Sequence, residues 1–98
     1  MDKILSGEIH VDRLKAGTVI LVETEDAIYE LEVLNPETAM VEVNTNDTRL
    51  KEIQAALING PIRWGSCMPL VLTTNSTLYS RKCVGATIRG DGWSYDVF

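Results

Sequence analysis

The sequence predicts an all-β protein: a small, strongly bent five-stranded barrel, with a short helical turn before the first long strand and a short helix in an insertion. Three observations carry that expectation. Runs rich in β-branched and apolar residues recur along the chain, separated by Asn, Asp, Pro and Gly at turn positions. One run, Ala27 to Leu34, alternates strictly between a core-facing and a solvent-facing set. With only 98 residues, several short strands bury more of their surface in a closed cylinder than in two stacked sheets, so residues 1–98 read as one barrel domain.

Taken in order, Asp12-Arg13-Leu14-Lys15 reads as the helical turn, stopped at Gly17, whose missing Cβ suits a helix end. Thr18 to Thr24 follows as a strand with a continuous apolar centre, which predicts burial on both faces. After a turn at Glu25-Asp26, Ala27, Tyr29, Leu31 and Val33 face inward while Ile28, Glu30, Glu32 and Leu34 face out. Asn35-Pro36-Glu37-Thr38 reverses the chain, because asparagine bonds its own backbone and proline presets φ. Ala39, Val41 and Val43 then point to the core and Met40, Glu42 and Asn44 away, which completes a β-meander.

Asn46-Asp47-Thr48 offers a helix cap, and Leu50, Ile53 and Leu57 recur at helical spacing until Asn59-Gly60, which predicts the short helix. From Pro61 onward, Ile62 to Gly65 and Leu70 to Thr74 read as extended pieces broken at Pro69. Leu78 to Ser80 and Cys83 to Ile88 read as strands after a turn at Asn75-Ser76-Thr77. Two extended runs around Arg89-Gly90-Asp91-Gly92 predict a terminal hairpin with an arginine and an aspartate at its tip.

The formal charge is −5, so a polyanion approaches against the mean field unless the nine basic residues cluster, as Arg81 and Lys82 do beside Arg89. Apolar runs such as Val19 to Val22 are too short to cross a bilayer, and charge interrupts the first eight residues where a signal peptide would be apolar. A cytoplasmic address is the expectation, with no membrane partner. Two cysteines, Cys67 and Cys83, are then expected as free thiols, although neighbouring strands of a barrel could bring them within disulfide reach.

Neither cysteine belongs to a CxxC pair, and His10 is the single histidine, so no metal or other cofactor is expected. No enzyme is expected either. Glu30 and Glu32 share an exposed strand face, the thiols lack a nearby base in sequence, and Gly85 to Gly92 lacks the lysine and helix of a phosphate loop. No small-molecule substrate is implied.

Leu14 to Val22, then Ala27-Ile28-Tyr29 and Glu37-Thr38-Ala39-Met40, resembles the first segment of the Sm and Sm-like (LSm) family. Ile88-Arg89-Gly90-Asp91 with Tyr95 is similar to the family's second segment. Val41 stands where that family has an asparagine that holds a base, and Leu31 where it has a glycine. The resemblance implies a five-stranded SH3-like barrel, pairing its open edges with sister copies in a homo-oligomeric ring, with single-stranded RNA near the pore. Carried onto this chain, the RNA-binding candidates are Met40, Arg89, Gly90 and Asp91: an apolar wall for a base, a phosphate or stacking contact, a close backbone approach and an orienting acid. Trp64, Tyr29, Tyr79, Trp93 and Tyr95 offer either stacking surfaces or packing. The alternative reading is an oligomeric structural or protein-interaction module that binds no RNA.

Overall fold

The computed structural model describes residues 8–50, 52–90 and 93–96, the last four by their backbone. Among the described residues nine strands follow in order: β1 (Glu8–Ile9), β2 (Val19–Thr24), β3 (Ile28–Asn35), β4 (Met40–Thr45), β5 (Gln54–Ile58), β6 (Ile62–Arg63), β7 (Cys67–Leu72), β8 (Thr77–Gly90) and β9 (Trp93–Asp96). The protein is all-β, as its patterning predicts.

The meander appears where alternation and turn chemistry agree. β2 and β3 pair antiparallel with Ile20 opposite Leu31 and Val22 opposite Tyr29, and β3 pairs with β4 with Leu31 opposite Val43. Tyr29, Leu31, Val33, Val41 and Val43 are all buried, while Ile28 and Leu34 are exposed. In β2, Ile20, Val22 and Thr24 are buried and Val19 and Leu21 only half-buried, so its outer face is covered less than the apolar run implies. The β2–β3 turn is clasped by Thr24, whose hydroxyl donates to the Ala27 carbonyl and accepts from the Ala27 N–H, both at 3.0 Å. At the other turn Asn35 Oδ1 accepts from the Glu37 N–H at 3.1 Å, and the reversal closes through Ala39 in the left-handed region at φ 58°.

The strand order runs β2-β3-β4-β5-β7-β8, and β8 pairs back onto β2. Six strands therefore close on themselves, where five were expected. The sixth is the correction with the clearest cause. Residues 54–58, expected within a helix, form β5, with Ala56 and Ile58 buried and Ala55 and Leu57 turned outward. Helical spacing would have buried Leu50, Ile53 and Leu57 on one face, yet Ile53 is 58% exposed. A strand here hydrogen-bonds to β4 on one side and β7 on the other, and that double ladder outweighs helical propensity. Near the N-terminus the helical turn is one 3-10 turn, Val11–Arg13, and Gly17 at φ +90° sends the chain into β2 with its N–H bonded to the Val33 carbonyl at 2.7 Å.

Closing so few strands requires sharp bends, and the register shifts at Glu23/Thr24, Val33/Asn35 and Cys67/Pro69 provide them. β8 is long enough to serve two partners, pairing with β7 through Thr77–Lys82 and with β2 through Cys83–Arg89. Ser80 fills the irregular stretch: its buried hydroxyl accepts from the Met68 N–H at 2.8 Å and donates to the Arg81 carbonyl at 2.9 Å. The short β1–β6 pair adds Ile9 and Ile62 to the same core. Among the described residues β9 pairs only with β8, at the end of the strand order, so it is a border of the sheet. No helix among the described residues is long and apolar enough to cross a membrane.

Candidate functional site

An antiparallel meander places alternate turns at opposite ends. The β2–β3 turn and the segment after β4 therefore come together, and they frame a cleft of about 350 Å³. Its floor is Tyr29, whose ring is buried among the core while its hydroxyl donates to the largely buried Asp47 carboxylate. Arg49 closes on the same carboxylate, with Nε at 3.0 and 3.1 Å from its two oxygens and Nη2 at 2.6 Å from Oδ2. The Arg49 backbone N–H donates to Asp47 Oδ1 at 2.9 Å, and Nη1 donates to the Tyr79 carbonyl at 3.0 Å. That last bond ties the β4–β5 connection to β8.

The chemistry of this clamp follows from its donors. Arg49 holds the Asp47 carboxyl well below the usual carboxylate range, with Tyr29 adding to the effect. Burial, and then the bond to Asp47, push the Tyr29 phenol up to about 12. Neither shift produces a group poised near neutrality. Asp47 stays a carboxylate, Tyr29 stays a phenol, and the triad works as a clamp rather than as an acid or base.

Beside the cleft, the outer side of β8 carries Tyr79 and Arg81, with Lys82 next to them and opposite Cys67 on β7. Trp64 forms a bridge with Cys83, and its side chain is 66% exposed; Tyr79 is 62% and Val84 49% exposed. Two of the cations here are paired with acids. Arg49 pairs with Asp47, Arg81 pairs with Asp26 at 2.9 Å, and Glu25 lines the same hollow as Lys82. Exposed aromatic side chains thus stand near Arg81, paired with Asp26, and near Lys82, which forms no ion pair among the described residues.

The expected RNA-binding residues fall elsewhere. Met40 starts β4 opposite Leu57, and Arg89 lies on β8 opposite Val19. Within one chain β2 and β3 separate them, so they do not line one pocket. Gly90 pairs with Trp93 in the β8–β9 hairpin, and Asp91 lies outside the described residues. Sequence reasoning missed the role of Arg49 and took Asp47 for part of a helix cap. The Asp47-x-Arg49 spacing was visible, but nothing local shows that the hydroxyl of Tyr29, eighteen residues earlier, ends beneath that carboxylate.

Cys67 is exposed and Cys83 buried, and both thiols are free. Burial raises the Cys83 thiol to about 11, which keeps it protonated and unreactive at neutral pH. His10 is engaged by Glu8 at 2.9 Å, and Arg63 pairs with the other oxygen of Glu8 at 3.0 Å. Among the described residues no three His, Cys, Asp or Glu are placed to hold a metal ion. Comparison with protein-family models, with curated proteins and with solved structures returns no match.

Proposed function

We propose that the chain is a protein-interaction module, an all-β scaffold that docks a protein partner on the face carrying Trp64, Tyr79 and Val84. One observation carries the reading: two large aromatic side chains stand about two-thirds exposed on adjoining segments of a chain whose formal charge is −5. Tryptophan, tyrosine and arginine are the residues that concentrate binding energy at protein interfaces, and Arg81 lies between Tyr79 and Val84 along β8. A nucleic-acid strand brings phosphates along its whole length to a molecule of formal charge −5, whereas a protein partner can bring apolar surface to Trp64, Tyr79 and Val84.

The test places a photocrosslinking amino acid at position 79, with Asp12 as the control position, and irradiates the protein in its native cells. Protein adducts specific to position 79 are expected. RNA adducts, or products indistinguishable from the control, would overturn the reading.

A second reading, a homo-oligomeric Sm-like ring binding single-stranded RNA through Arg89 and Gly90, is favoured by the place of these residues: they pair with β9, the border strand of the sheet. It requires that oligo-U or oligo-A bind at low salt, weaken on Arg89→Ala, and weaken further as counterions are added. Absence of binding at low salt removes it.

A further inference from the structure

The outer face of β2, β3 and β4 carries Glu23, Glu30, Glu32 and Glu42, all exposed. Glu32 and Glu42 are direct cross-strand partners, a like-charge arrangement that works against the sheet. None of the four forms an ion pair among the described residues. Beside them lies an apolar strip: Leu34 is 40% and Leu57 36% exposed, and half-buried Met40 sits opposite Leu57 on the adjoining strand. An apolar strip bordered by unneutralised carboxylates matches a surface that is itself apolar and bordered by cations.

The chain carries such a surface. Tyr79, Trp64 and Val84 are its apolar part, and Arg81 and Lys82 its cations; Lys82 has no ion pair among the described residues, and Arg81 only an exposed one. The two surfaces adjoin along the β2–β8 pairing, where Glu23 lies opposite Gly85, while Glu32 and Glu42 stand on the next two strands of the order.

We propose that the partner of the aromatic face is a second copy of this chain, which presents the glutamate face of β2–β4 in a head-to-tail contact. The proposal rests on the protein-interaction reading above and names its partner. Charge decides the geometry. Two copies meeting through the glutamate face alone would set carboxylate against carboxylate, whereas a heterologous contact sets Arg81 and Lys82 against Glu32 and Glu42. β2, β3 and β4 each pair with a strand on both sides, so the glutamate face meets its partner by side chains and not by strand addition. Each copy then offers one face of each kind, and repetition builds a closed ring or a linear array.

Sedimentation of the full chain, the double variant R81E/K82E, the double variant E32K/E42K and their equimolar mixture tests this. Wild type is expected to associate as concentration rises and to dissociate at about 1 M salt, where screening shrinks to about 3 Å. Each variant alone presents like charges at the contact and is expected to weaken association by about a hundredfold or more. Their mixture restores opposite charges at every contact and should recover it. Circular dichroism of each variant confirms folding, and all four substitutions fall on exposed positions. A wild type that stays monomeric to about 1 mM overturns the proposal. So does unchanged association in either folded variant, or a mixture that fails to associate. If a W64A/Y79A variant loses association while E32K/E42K keeps it, the aromatic face still docks a partner and only its assigned mate is wrong.

Discussion

Replacing Tyr29 by phenylalanine deletes one oxygen and tests whether the clamp holds this end of the barrel together. The ring is 1% exposed and stays in place, while the Asp47 side chain, 8% exposed, loses one of its donors. A hydrogen bond to a charged partner contributes about 1.5–3 kcal/mol net. Asp47 keeps its bonds from the Arg49 side chain and backbone, so the lower half of that range applies. A loss of about 1.5–2 kcal/mol lowers Tm by roughly 6–16 °C in a domain of this size. Thermal unfolding followed by circular dichroism reads this directly. Tyr79→Phe is the control, because its ring is 62% exposed, and it should stay within about 0.5 kcal/mol of wild type. Equal stability of the two variants would refute the clamp.

Protonation gives two further tests of the same cluster. The folded pKa of Asp47 lies below its ordinary 3.8, so its contribution is complete above that pH and disappears as pH falls through the folded value; Asp47→Asn should therefore flatten the acid limb of the stability curve. Tyr29 is raised from 10.0 to about 12, so its contribution is present below pH 10 and is lost as pH climbs toward 12. Phenolate absorbance should show a late step near pH 12 that is missing in Tyr29→Phe. With a thiol reagent at neutral pH, Cys67 should react quickly and Cys83 only after denaturant is added, as mass mapping of the labelled residue would show. Ala39→Gly relieves a left-handed alanine at φ 58° at the cost of unfolded-state entropy, for a net gain of at most about 1 kcal/mol by urea unfolding; clear destabilisation would mean that its partial packing on the core matters more.

The meander was legible because every signal for it is local. Period-two alternation assigns Tyr29, Leu31 and Val33 to one face, and Asn35-Pro36 marks the reversal, so no distant partner is needed to read either. The stretch from Leu50 to Leu57 was misread for the complementary reason. Its apolar spacing fits a helix, but its backbone donors and acceptors are claimed by β4 and β7, strands that only the closed sheet brings alongside.

Composition and local patterning settle the all-β class, the faces of the first three long strands, the turn residues between them and the acidic balance of the whole. The sixth strand, the return of β8 onto β2, the meeting of Tyr29 with Asp47 and Arg49, and the separation of Met40 from Arg89 within one chain arise only when distant strands pair. The physical reason is range. Alternation and turn propensity are set by neighbouring residues, whereas closure and the placing of side chains from distant strands depend on which backbone edges find one another when a bent sheet meets its own border.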